Sequence, residues 1–354
     1  MSSVKHQKAI VAWLFVIGLM VFAMIILGGV TRLTHSGLSM VDWRPVTGWL
    51  PPLDAAEWER VFARYREYPE YKKLNLGMTL GEFKSIFLFE YTHRLLGRLI
   101  GAAFFVPMAV FWLKGWVDRR LGLKLVGLFV VGALQGVLGW YMVKSGLVSR
   151  PDVSQYRLAA HLSLALLILG AMVWVGLGIL SPERPAAPPE RVPGQGPEWG
   201  PGRLRFWSWG LTALIFVTAL SGAFVAGLDA GFVYNTFPLM DGAWVPDGLF
   251  ELAPGYRNFF ENITTVQFDH RILAATVFAA VMVFWWRARK VGLAPGQRLA
   301  LNVLAAVAVV QVAFGISTLL LVVPVPLAAL HQAGAVALFL AAVWLAHELP
   351  PGGD

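Results

Sequence analysis

The chain has 354 residues, of which 57% are hydrophobic and only 14% charged, and its mean hydropathy is +0.63. A soluble domain is about 45–50% apolar and about 25% charged, so this balance excludes one and points to lipid as the solvent. The formal charge of +8 does not imply nucleic acid, because the basic residues cluster between long apolar runs, and the absence of cysteine excludes disulfides, iron–sulfur clusters and thiolate chemistry.

Hydrocarbon satisfies no backbone polar group, so continuous apolar runs of this length must be helices. Eight spans are expected, at 9–30, 84–113, 121–143, 157–180, 206–228, 264–286, 299–322 and 327–347. The first is too long, and lacks the small-residue cleavage site, to be a removable signal peptide. Segment 31–83 carries basic and acidic residues in near balance and forms an outer cap, with its own short helix around Ala55–Tyr65. Residues 181–205 are rich in Pro and Gly and form a linker. Pro324 and Pro326 crowd the last two spans together, at a helix start where proline is tolerated. Lys and Arg of the short loops collect on one side: Lys5 and Lys8, then Lys114, Arg119, Arg120 and Lys124, then Arg184, Arg191, Arg203 and Arg205, then Arg287, Arg289, Lys290 and Arg298. Both termini are therefore expected in the cytoplasm, in a multi-pass protein of the cell's inner membrane.

The two halves of the chain repeat. FEYTHRLLGRLIGAAFF in the second span matches VQFDHRILAATVFAA in the sixth, setting His93-Arg94 against His270-Arg271. LQGVLG matches VQVAFG, aligning Gln135 with Gln311 and Gly139 with Gly315. LAAHLSLAL matches LAALHQAGAVAL, aligning His161 with His331, and Pro45 falls in step with Pro238. Landmarks recurring in one order imply duplication of a four-helix unit. The expected fold is all-α, with eight spans as two pseudo-symmetric four-helix bundles: an N-terminal half 1–180, a cytoplasmic linker 181–205 and a C-terminal half 206–354. Four is an even number, so both units share one orientation and their symmetry axis follows the membrane normal.

Ionisable residues inside spans are costly and tend to be functional. Four of the seven histidines lie in spans: His93, His161, His270 and His331. All four are expected one to two turns from the outer ends of their helices. Two imidazoles reaching inward at one depth can ligate one metal, and a haem iron accepts such an axial pair. Zinc would want a third protein ligand, and only the first half offers an in-span carboxylate on the face of its histidine. His6 and His347 lie at the cytoplasmic ends and His35 in the first outer loop. Arg94, Arg98 and Arg271 are placed to pair with haem propionates, or else to reach outward to the headgroups.

The halves differ three residues before the first histidine, where Glu90 is matched by Gln267. Positions i and i+3 share a helix face, so Glu90 is expected to face the pocket of His93. A carboxyl there can exchange protons or stabilise a developing cation, or simply pair with Arg94 or Arg98. Gln267 keeps the hydrogen bonding without the charge. The difference implies a reactive first half and a second half holding a redox or structural haem. Asp269 points to another face.

With EYTHR at 90–94, FDHR at 268–271 and the paired later histidines, essentially the whole chain resembles the haem A synthase family. The resemblance implies oxidation of a haem O methyl group to the formyl group of haem A, for terminal oxidase biogenesis. It implies a haem b held by His270 and His331, a haem O substrate at His93 and His161, and a catalytic Glu90. It further implies haem O synthase and terminal oxidase assembly factors as partners, with membrane lipid around the chain and room for a homo-oligomer. Some members carry a cysteine pair in the first outer loop; this chain has none. Two rivals share some of these features. A dihaem b-type electron carrier would use the same four histidines but leaves Glu90 unexplained. A non-haem transporter would place its site near the midplane, on broken helices.

Overall fold

The computed structural model describes residues 4–42, 47–147, 151–181 and 201–350. The helices among them, in chain order, are α1 (Val4–Leu33), α2 (Ala55–Tyr65), α3 (Pro69–Lys73), α4 (Leu80–Leu113), α5 (Arg119–Gly146), α6 (Gln155–Leu180), α7 (Pro201–Gly227), α8 (Asn258–Glu261), α9 (Ile263–Ala288), α10 (Pro295–Leu320) and α11 (Val325–Glu348). No strand occurs among the described residues. The eight long apolar helices α1, α4, α5, α6, α7, α9, α10 and α11 correspond to the eight expected spans, and the chain is an all-α, multi-pass membrane protein. Phe15 and Leu19 of α1, Phe105 and Val106 of α4, Val130 and Val137 of α5 and Val309 and Val310 of α10 are exposed. Lipid, not water, is the medium that accepts such faces.

Caps set the helix ends. α4 starts at Leu80 rather than at 84, because Thr79 and Glu82 form a reciprocal pair. Glu82 N–H donates to Thr79 Oγ1 at 3.3 Å, and Thr79 N–H donates to the Glu82 carboxylate at 2.8 Å. Asp118 accepts from Leu121 N at 2.7 Å and starts α5. Asn262 accepts from Thr265 N at 3.0 Å and starts α9. α10 and α11 open on prolines, which cost a first turn nothing. α7 begins at Pro201, so the stretch 201–205 is helical rather than linker; the remainder of that linker, 182–200, and Pro45 lie outside the described residues.

The chain divides into two compact units, 1–169 and 170–354, the boundary falling inside α6. In the first unit α1 lies along α4. Trp13 Nε1 donates to Ala103 O at 2.8 Å, and Gly97 admits Met24, whose Cε would stand 3.0 Å from a Cβ there. The segment between α1 and α4 forms a cap that packs α2 against the first turns of α4 through Phe62, Tyr65, Phe83, Phe87 and Tyr91, all buried. Burial of each such side chain contributes about 1.5–3 kcal/mol. In the second unit α7 packs on α9 and α11, and α10 packs on the same two, so each helix has two neighbours. The chain leaves α1 and α7 alike, through a non-glycine residue of positive φ: His35 at 50° and Asp229 at 54°.

Candidate functional site

Each of the four in-span histidines rests on a glycine of a neighbouring helix. A Cβ at Gly28 would stand 3.2 Å from His93 Nε2, one at Gly222 3.2 Å from His270 Cε1, one at Gly139 3.0 Å from His161 Cε1, and one at Gly315 2.9 Å from His331 Cε1. Any larger residue would press on the ring, so all four seats depend on the missing side chain. Gly139 and Gly315 were visible in the repeated strings; Gly28 and Gly222 were not, because α1 and α7 share no string that marks them.

In the second unit the His270 and His331 rings lie with centroids 6.4 Å apart and planes 85° apart, near-perpendicular to one another. A transition-metal–imidazole bond is about 2.0–2.1 Å and a ring nitrogen lies about 1.1–1.2 Å from its centroid, so two axial imidazoles on one iron have centroids roughly 6.3 Å apart. The pair thus has the spacing of a bis-histidine haem. The far nitrogens are also held. Ser221 donates its hydroxyl proton to Thr218 O at 2.8 Å, so its oxygen accepts from Nδ1–H of His270 at 2.7 Å. That fixes the tautomer with a lone pair on Nε2, the one a metal needs. The Gln311 amide stands 3.1 Å from His331 Nδ1.

In the first unit His161 lies within electrostatic reach of His93. Gln135 uses its amide nitrogen on the backbone carbonyl of His161, at 2.9 Å, and His161 Nδ1 is buried without a hydrogen bond. The aligned glutamines therefore do different things.

Glu90 is buried in the same unit and accepts from Ser39 Oγ at 2.8 Å, from Met40 N at 2.6 Å and from Arg94 Nη2 at 2.5 Å. Ser39 and Met40 belong to the chain leaving α1, a contribution that nothing in the sequence pattern marked. Arg94 also donates to Met40 O at 2.8 Å and to Asp42 O at 3.0 Å. The same clasp recurs in the second unit, where Arg271 donates to Tyr234 O at 2.7 Å and to Thr236 O at 2.9 Å. Gln267, in the place of Glu90, donates to Tyr234 O at 3.1 Å while its Oε1 is buried without a hydrogen bond. Both arginines that follow a histidine thus anchor the loop that follows the first long helix of their own unit, and Arg271 Nε has no hydrogen bond. Arg98 is half-buried one turn past Arg94, and Asp269 is half-buried. Elsewhere, His6 stacks on Trp116 at 4.3 Å, His347 is buried edge-on against Trp174, and His35 is exposed.

The cap between α1 and α4 holds a second buried acid. Glu70 accepts from Tyr65 Oη at 3.0 Å, and Asn75 Nδ2 donates to that Tyr65 oxygen at 2.7 Å. Burial pushes Glu70 up to about 8, the charges of Glu90 and Asp152 adding to it and the Tyr65 hydrogen bond opposing it. Burial raises Tyr65 as well.

Over residues 11–343 the chain matches the COX15-CtaA family, described as Cytochrome oxidase assembly protein. It is 56% identical over 343 residues to a protein of Nitrosospira multiformis named Heme A synthase, covering 97% of this chain and 94% of that one. It is 48% identical over 355 residues to the Bos taurus protein named Heme A synthase COX15, covering 99% and 84%. Against the Heme A synthase of Parvibaculum lavamentivorans it is 48% identical over 344 residues, covering 97% and 95%. With an all-α membrane fold and two pairs of in-span histidines, the chain belongs to the COX15-CtaA family of cytochrome oxidase assembly proteins.

Proposed function

We infer that this chain is a haem A synthase, an integral-membrane enzyme with haem O as substrate and haem A as product. The relatives carry that name across nearly the full length. The observation that carries the reading is the pair His270 and His331, spaced as two ligands of one haem iron. Among the described residues no three of His, Asp and Glu gather, and three or more such donors are what zinc takes.

The reaction takes a ring methyl to an alcohol and then to a hydrated aldehyde, which loses water, each oxidation giving two electrons to an oxidant from outside the chain and taking one oxygen from that oxidant or from water. The first half, 1–180, takes haem O between His93 and His161, with Arg94 and Arg98 on the propionate side. Glu90 is the catalytic group. It moves protons or stabilises positive charge developing at the methyl, and it is held for that work by Ser39, Met40 N and Arg94. The second half, 206–354, binds haem b at His270 and His331, with Gln267 and Arg271 beside it. A haem b there supplies one-electron transfer. The chain lies in the inner membrane with both termini cytoplasmic, and hands its product to terminal oxidase assembly.

The test is co-expression with a haem O source, followed by extraction and chromatography of total haem. Haem A should appear only when this chain is present. Haem O left unchanged by a haem-loaded protein would make the chain an electron carrier instead.

A further inference from the structure

We propose that Ser221 is the positioning residue that makes the second-half haem a resident one, and that Leu27, standing in its place, lets the first-half site exchange its haem. This rests on the reading that both histidine pairs bind haem.

Gly28 of α1 and Gly222 of α7 receive the imidazoles of His93 and His270 at the same 3.2 Å. One residue earlier the two helices differ: Leu27 in α1, Ser221 in α7. The Ser221 oxygen accepts from His270 Nδ1–H at 2.7 Å because its own proton goes to Thr218 O. That bond, with the Thr218 backbone bonding the same imidazole, sets the ring's orientation and tautomer and makes Nε2 more electron-rich. Leucine offers no acceptor, and among the described residues no group bonds a ring nitrogen of His93.

The ring orientations differ as well. His270 points its Cε1 corner at Gly222, at 3.2 Å, with Nδ1 at 3.7 Å and Nε2 at 3.8 Å. His93 turns its Nε2–Cδ2 edge to Gly28, at the same 3.2 and 3.7 Å. The two rings thus sit differently on their glycines, and among the described residues no side chain of α1 bonds a ring nitrogen of His93. The second ligand of each pair repeats the contrast. His331 Nδ1 has the Gln311 amide at 3.1 Å, whereas Gln135 engages the His161 backbone and leaves His161 Nδ1 without a hydrogen bond. Both second-half imidazoles are thus held at the far nitrogen, and neither first-half imidazole is. Where substrate and product are both haems, axial ligands must release; where a haem stays, they must not.

The test uses the full chain in detergent, with excess apomyoglobin to capture released haem and a redox titration of the haem that remains. Ser221→Ala should release the second-half haem roughly 10- to 100-fold faster, as removal of such a partner typically does, and its reduction potential should rise. Ser221→Thr, which keeps the hydroxyl, should restore both. Leu27→Ser should slow release from the first half, so that purified protein holds more haem O and haem A per chain. A Ser221→Ala protein with wild-type release and potential overturns the proposal, as does a Leu27→Ser protein with unchanged release, which decides the matter if Ser221→Ala does not fold. Wild-type protein that carries no haem at all overturns the haem reading itself, a result separable from the others.

Discussion

The imidazole of His270 stands 6.4 Å from that of His331, centre to centre, with the two ring planes 85° apart. Near-perpendicular axial imidazoles leave two iron d orbitals almost degenerate. The ferric resident haem should therefore give a highly anisotropic low-spin electron paramagnetic resonance signal rather than the rhombic one of parallel rings. His270→Ala should abolish that signal together with the haem. A rhombic signal in the wild type would mean that the rings lie otherwise.

Glu90→Gln gives the first half the residue that Gln267 supplies in the second. The amide keeps an acceptor for Ser39 Oγ or Met40 N but loses the ion pair with Arg94. Arg94 still holds the Met40 and Asp42 carbonyls, so the loop should stay in place. The variant should retain haem yet make haem A roughly 100- to 10,000-fold more slowly, the range for loss of a positioned acid or base. Haem O or a partly oxidised product should accumulate in the chromatogram. Wild-type haem A output would remove Glu90 from the mechanism.

Glu70 makes the cap between α1 and α4 pH-sensitive. Its ordinary value of 4.5 is raised to about 8 in the folded chain. Between those values the folded state keeps a proton that the unfolded chain has released. The stability contribution is thus whole below the ordinary value and is lost as pH rises through about 8. Thermal melting in detergent should show the cap weakening between about pH 5 and pH 8. Glu70→Gln, which still accepts from Tyr65, should flatten that decline. A variant with the wild-type pH slope would show that Glu70 is not its source.

Much of this was legible in the sequence, for reasons that particular residues make clear. Lipid leaves a long apolar run only one structure, so eight helices follow from composition and run length alone. The short helix Ala55–Tyr65 was legible too, since Asp54 caps it and Phe62 and Tyr65 mark its buried face. The four histidines and their glycines Gly139 and Gly315 stood out because they recur in repeated strings. The loop clasps did not. Arg94 and Arg271 donate to backbone carbonyls, which every residue carries, so no residue type announces the acceptor. Ser221 was hidden for the opposite reason: its counterpart is a leucine, and one hydroxyl on an apolar helix gives no signal until His270 is seen against it. The start of α7 at Pro201 was hidden because the preceding sequence is dense in proline and glycine, whereas a proline in the first turn is compatible with a helix.

The most direct measurement is the identity of the haems that leave the purified chain on acid–acetone extraction. Haem b is expected in near-constant amount, with haem O and haem A in varying proportion beside it, and haem b alone is expected to be lost from His270→Ala. An extract without haem, or one whose haem b survives removal of His270, would contradict the haem assignment.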